Sequence, residues 1–124
     1  MIGIDLVCVS RLHSVMERTP RFQTRVFSQQ EIADCEARAN PYPSYAARFG
    51  VKEAFRKLDP VFLTGIRFQE VEVVSDPTGR PGIRLSGNAL RLAQAAGIGQ
   101  IFVSLSHDGD YAVAALTAER CHQA

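Results

Sequence analysis

A chain of 124 residues with 46% hydrophobic and 22% charged side chains has the size and make-up of a single soluble globular domain spanning residues 1–124. Its formal net charge of +1 excludes a global field that would draw in nucleic acid or a membrane surface, so electrostatic recognition has to come from local patches. Its apolar runs are too short to cross a bilayer, and Cys8, Cys35 and Cys121 lack the CxxC spacing of a zinc site or a disulfide framework.

Residues 2–9 are apolar and rich in branched side chains, which predicts a strand, with Cys8 a small buried hydrophobe at its end. No cationic stretch precedes this run, so no secretory signal is expected, and a reducing cytoplasm is the simplest setting. Ser10 can cap a helix to about residue 18, and Pro20 opens a second short helical turn. Ser28 and Glu31 form a capping box for a helix to about residue 38. Asn40-Pro41-Tyr42-Pro43 breaks it, and Ser44 starts a long central helix that runs to about residue 58, where Asp59-Pro60 stops it. Residues 61–66 read as a loop. Residues 68–74 alternate as a half-exposed strand, Asp76-Pro77-Thr78-Gly79 turns, and residues 82–85 return. A helix over residues 88–96 ends at Gly97. Residues 101–106 and 111–117 are strands joined by His107-Asp108-Gly109-Asp110, a hairpin signal. Helices early and strands late predict an α+β fold with a mainly antiparallel sheet packed on the long central helix.

Asp5 lies in the middle of the first apolar strand, where an isolated carboxylate costs several kcal/mol and so needs a partner. A backbone amide or an arginine would serve as a purely structural one. At about 100° per residue, the central helix gathers Ala46, Ala47, Gly50, Val51, Ala54 and Leu58 into an apolar sector. Arg48, Lys52 and Arg56 fall on the opposite side, with Glu53 and Lys57 on the border. Gly50 costs about 1 kcal/mol relative to alanine in a helix interior, which fits close approach of another group. Glu53 and Lys57 alone would make an ordinary surface i,i+4 pair.

Four segments, in order and spacing over residues 3–119, resemble the holo-acyl-carrier-protein synthases, the small 4′-phosphopantetheinyl transferases. These are Gly3-Ile4-Asp5-Leu6-Val7, the run from Arg48-Phe49 through Lys52-Glu53-Ala54-Phe55 to Lys57, Asp76-Pro77 with Gly79-Arg80-Pro81, and Val103-Ser104-Leu105-Ser106-His107-Asp108. The resemblance implies that fold and a reaction: the phosphopantetheine arm of coenzyme A moves onto a serine of an apo acyl carrier protein, releasing 3′,5′-ADP. It makes Asp5 and Glu53 the holders of Mg²⁺, with Mn²⁺ an open substitute, a donor set suited to an ion that takes one or two carboxylates plus water and phosphate oxygens. It makes Glu53 the base for the serine hydroxyl, directly or through a water, and Lys57 the stabiliser of the diphosphate or of the departing ADP oxygen.

Further implied coenzyme A contacts are Arg48, Lys52 and Lys57, the turn Gly79-Arg80-Pro81, and Ser106 with His107. Family sites lie between subunits of a homotrimer, so residues 79–81 and 106–107 are expected to serve a neighbour's site. Arg11, Arg18, Arg21 and Phe22 match a surface that docks the acidic carrier, and Arg11 and Arg18 share a helix face. Each of these also has a plain reading as a solvated turn, hairpin end or basic face. Two departures bear on coenzyme affinity: Gly50-Val51 replaces two alanines, and Leu58-Asp59-Pro60 replaces a typical Ala-Leu-Gly run. A hydrolase triad in Ser106-His107-Asp108 is rejected, because successive strand residues point to opposite faces. The competing reading is a non-catalytic module that keeps the fold and binds carrier protein. A nucleic-acid role ranks third, for want of a stacking pattern.

Overall fold

The structure, a computed structural model, describes residues 1–121. Strand β1, Ile2–Cys8, leads into helices α1, Val9–Arg18, α2, Phe22–Val26, and α3, Gln29–Glu36. The central helix α4, Tyr42–Arg56, follows, then two 3-10 turns at Pro60–Leu63 and Phe68–Glu70. Strands β2, Val71–Ser75, and β3, Pro81–Leu85, form an antiparallel hairpin. Helix α5, Gly87–Ala95, precedes β4, Ile98–Asp108, and β5, Tyr111–Arg120, which pair with β1 in an antiparallel sheet of order β1-β5-β4. The architecture is the expected α+β arrangement.

Local differences from the sequence expectation have local causes. Helix α4 begins before Ser44, because a proline in the first helical turn removes no intrahelical hydrogen bond. The stretch 61–66 is partly a 3-10 turn that buries Phe62. The strand expected from residue 68 begins at Val71, because Glu70 folds its carboxylate back onto the Arg67 N–H at 3.0 Å and onto the Asn88 N–H at 2.9 Å, fastening the start of α5. Ser10 is not the cap of α1: its hydroxyl and N–H both bond Asp110 of the β4–β5 turn. Cys8 is only half-buried and its thiol donates to the same carboxylate at 3.2 Å.

Two hydrophobic clusters meet along α4. One packs Val51, Ala54 and Phe55 against Val71, Val73, Leu116 and the inner face of α5. The other packs Tyr45 and Ala46 against Leu12, Val26, Phe27 and Cys35. Gly3 of β1 lies so close to the helix that an added Cβ would collide with the Ala54 carbonyl, while a Cβ on Gly50 would meet Ala114 and Val7 at 3.3 and 3.4 Å. The small residues of both segments therefore set how tightly strand and helix approach. The opposite face of β1 is not buried: Ile2, Ile4 and Leu6 are 70%, 58% and 65% exposed.

Helix α4 is wrapped almost all round, which corrects the assignment of Lys52 to the coenzyme. Lys52 is 1% exposed. Its ammonium donates to Glu31 Oε1 at 2.8 Å, to the Val71 carbonyl at 2.7 Å and to the Phe68 carbonyl at 3.1 Å, so all three of its donors are used inside the protein. Glu31, itself fully buried, also accepts from the Ser28 N–H at 2.9 Å and from the Val73 N–H at 3.0 Å. The capping-box glutamate thus does a second task, holding α3, α4 and β2 together. Arg48 is likewise 7% exposed, yet it keeps an unpartnered Nε and borders clefts. Removing one member of a buried pair leaves the other charge uncompensated. Lys52→Ala or Glu31→Ala is therefore expected to lower unfolding free energy by about 3–5 kcal/mol in denaturant titrations, with a paired apolar replacement costing less than either single change.

Candidate active site

Residues 3, 5 and 7 of β1 share the face that packs on α4. Gly3 and Val7 are buried there, and Asp5 emerges between them beside the C-terminal half of the helix. Lys57, just past the last turn of α4, donates to Asp5 Oδ1 at 2.9 Å and to the Ile4 carbonyl at 2.9 Å. The partner that the Asp5 carboxylate requires is therefore Lys57, and the surface Glu53–Lys57 pair does not form. Glu53 instead lies 3.8 Å from Arg56. Burial pushes the Glu53 carboxyl above its usual range; Arg56 pulls it down, the nearby Asp5 charge pushes it up, and Lys57 pulls it down. Lys57 thus joins Asp5 across about fifty residues of chain, and Glu53 lies near enough to feel both charges.

Asp5 also borders a cleft of about 240 Å³ between β1, α1 and α4, lined by Val7, Cys8, Arg11, Phe22 and Phe49 among others. The Phe22 and Phe49 rings are 5.8 Å apart and make its apolar wall. Of the four docking residues read from the sequence, Arg11 and Phe22 therefore share a cleft with Asp5. Arg18 and Arg21 stand exposed at the far end of α1 and just before α2.

The expected coenzyme contacts assemble elsewhere. Gly79, Arg80 and Pro81 line a cleft of about 620 Å³ together with Arg48 and Arg38. Ser106 and His107 line a neighbouring one of about 320 Å³ that shares Arg38 and Arg48. Arg48 Nη1 donates to the Ser44 hydroxyl at 2.5 Å, and its Nη2 lies 3.9 Å from Asp34. The Arg80 turn is built by Asp76, whose Oδ1 accepts from the Thr78 hydroxyl and from the N–H groups of Thr78 and Arg80. The Thr78 hydroxyl foremost, then the Arg80 N–H, hold the Asp76 carboxyl below its usual range. Neither cleft is lined by Asp5, Glu53 or Lys57.

Arg38 and Phe49 are the residues that sequence reasoning passed over. Nothing local marks Arg38, which reaches the clefts only because the chain breaks after α3. Phe49 stood within the central motif, but its side chain faces α2 only once α1 and α2 fold across α4. The Asp76–Thr78 spacing was legible as a turn in which an aspartate bonds its own backbone two residues on.

Among the described residues, no group of three or more His, Cys, Asp or Glu side chains could hold a metal ion. Asp5 and Glu53 fit an ion of the magnesium kind, which keeps several waters and needs only one or two protein carboxylates. Among the described residues, no helix is long and apolar enough to cross a membrane.

The model of the 4′-phosphopantetheinyl transferase superfamily matches residues 1–116. The chain is 42% identical over 117 residues to a holo-[acyl-carrier-protein] synthase of Moorella thermoacetica, covering 94% of this chain and 91% of that protein. It is 44% identical over 114 residues to the enzyme of that name from Desulforudis audaxviator, covering 91% and 87%. Among solved structures it is similar to Helicobacter pylori holo-[acyl-carrier-protein] synthase in complex with coenzyme A, with a TM-score of 0.81 at 28% identity over 96% of this chain and all of that one. It is also similar to the Neisseria meningitidis synthase, with a TM-score of 0.83 at 27% identity over 95% and 96%.

Because the Asp5 charge raises the Glu53 pKa, Asp5→Asn should bring it down in the metal-free protein, as read by a carboxyl NMR titration. An unshifted Glu53 titration would show that the two groups do not interact.

Proposed function

The chain belongs to the 4′-phosphopantetheinyl transferase superfamily, and from that premise we propose how its residues carry out the transfer. It moves the 4′-phosphopantetheine group from coenzyme A to a serine of an apo acyl carrier protein, leaving holo carrier protein and 3′,5′-ADP. The observation that carries the mechanism is the meeting of Asp5, Glu53 and Lys57 at the end of α4.

Bond formation joins the serine oxygen to the β-phosphorus of coenzyme A, while the bond from that phosphorus to the bridging oxygen breaks. The serine proton has to leave, and the ADP oxygen has to take up negative charge. Glu53 accepts the proton, directly or through a water. Lys57, half exposed while bonded to Asp5, presents a cation to the diphosphate and the departing oxygen. Asp5 holds that ammonium in position. Asp5 and Glu53 would together hold Mg²⁺, or Mn²⁺ with the same donors, which when bound supplies charge neutralisation to the diphosphate.

Arg48, Arg80 and His107, with Gly79, Pro81 and Ser106, bind the nucleotide end of coenzyme A. The planar guanidinium forks of Arg48 and Arg80 suit phosphate oxygens. Arg11, Arg18, Arg21 and Phe22 dock the carrier, whose acidic helices complement the arginines while Phe22 gives an apolar anchor. The cytoplasm suits a chain with free Cys8, Cys35 and Cys121.

The working form is a homotrimer with sites between subunits. Two features support it. Asp5 and the coenzyme residues line different clefts of one chain. The outer face of the three-stranded sheet also exposes Ile2, Ile4, Leu6 and Phe102, apolar surface that a neighbouring subunit would cover.

Incubated with coenzyme A and Mg²⁺, apo carrier protein should gain the mass of one phosphopantetheine group. Asp5→Ala and Glu53→Ala should each slow this by more than about a hundredfold while keeping the fold, the scale of losing a group that acts on the transition state. Undiminished turnover in both variants would refute the mechanism, and carrier binding without any mass gain in the parent protein would favour a non-catalytic module. Mixing inactive Asp5→Ala and His107→Ala subunits should restore activity if the two residues meet across subunits, and should restore none if they act within one chain.

A further inference from the structure

Helix α1 has no cap of its own. Its N-cap residue, Cys8, makes no side-chain capping hydrogen bond to a backbone N–H of the helix, and the first turn holds no acidic residue. The first N–H groups of a helix need acceptors, and its positive end favours an anion. Here both come from the tip of the β4–β5 hairpin, 100 residues further along the chain. Asp110 Oδ1 accepts from the Ser10 N–H at 3.0 Å, and Oδ2 accepts from the Ser10 hydroxyl at 2.5 Å and from the Cys8 thiol at 3.2 Å. The Asp110 carbonyl accepts from the Val9 N–H at 2.7 Å. The Ser10 and Cys8 hydrogen bonds hold the Asp110 carboxyl below its usual range, which keeps it ionised.

The junction joins two regions with different tasks. Immediately after Ser10 comes Arg11, which shares the cleft of Asp5, Phe22 and Phe49. On the hairpin side, Asp108 pairs with Tyr111 and His107 with Ala112, so the same turn closes the strands that carry Ser106 and His107. We infer that Asp110 is a positioning residue for the carrier: by capping α1 from the hairpin, it fixes the first turn of the helix and holds Arg11 over the Asp5 cleft. This rests on the reading of Arg11 as a carrier contact. A cap that served stability alone would not distinguish one substrate from the other.

The test compares Asp110→Ala, Asp110→Asn, Arg11→Ala and the Asp110→Ala/Arg11→Ala double variant in steady-state kinetics with full-length protein. Asp110→Ala should raise KM for apo carrier about fivefold, the scale of a lost N-cap, with KM for coenzyme A unchanged. Asp110→Asn, which keeps an acceptor oxygen, should recover most of the loss. In the Arg11→Ala background, Asp110→Ala should add less than about twofold, since residues acting through one another are not additive. Should Asp110→Ala lose its fold, Ser10→Ala, which removes one bond from the exposed junction, carries the same comparison. Equal rises in both KM values, a lowered Tm with both KM values intact, or a full effect in the Arg11→Ala background would overturn the proposal. If Arg11→Ala impairs carrier KM and Asp110→Ala does not, the proposal fails alone. If Arg11→Ala leaves carrier KM unchanged, the docking reading fails and takes this proposal with it.

Discussion

The distance between β1 and α4 governs this molecule. Gly3 has no side chain because the Ala54 carbonyl occupies the space where one would lie, and Gly50 faces Val7 and Ala114 at near-contact distance. Strand periodicity then puts Asp5 on the face that meets the helix, two residues beyond Gly3. Helix periodicity puts Glu53 beside Ala54, and Lys57 comes just after the last turn. The packing constraint and the chemical constraint are therefore written into the same residues. A side chain at position 3 would force strand and helix apart and draw the two carboxylates away from each other.

Charge is distributed within α4 in a way that a helix with one wet face would not allow. Lys52 and Glu53 are neighbours in the chain with opposite fates. Lys52 turns into the protein and satisfies its three donors on Glu31, Phe68 and Val71. Desolvation lowers the Lys52 pKa, and the adjacent Glu31 charge opposes that shift. Glu53 lies near Arg56 and stays partly open to solvent. The buried pair fixes the rotation of the helix against α3 and β2. Cross-linking of this kind is the best physical case for retaining a buried ion pair, whose net stability is otherwise modest against an apolar pair.

The groups proposed for reaction and for recognition lie on separate surfaces. Asp5 opens toward an apolar cleft under α1, whereas Arg48 and Arg80 open toward clefts beside β3 and β4. A transfer reaction between a small nucleotide and a large acidic protein needs both surfaces near one reacting phosphorus. The isoleucines of β1 lie on the outer face of the sheet, exposed apolar surface that nothing among the described residues covers.

The amino-acid sequence by itself determined the strand with its carboxylate, the Ser28–Glu31 capping box, the central helix, the Asp76 turn and the β4–β5 hairpin. Each depends on residues a few positions apart, whose spacing carries the signal. It also determined the family, because four short motifs keep their order and separation. Tertiary structure alone decided the rest. The family resemblance makes Lys52 a coenzyme contact and helical periodicity sets it opposite the apolar sector, but neither says what covers that side, and α3 with β2 covers it. Ser10 looked like a cap because local chemistry favours it, yet a carboxylate 100 residues away fills that place. The exposure of Ile4, the arrival of Arg38 beside Arg48 and the capture of Asp5 by Lys57 all depend on which elements pack together. Burial is a property of neighbours in space, and spacing along the chain records only neighbours within one element.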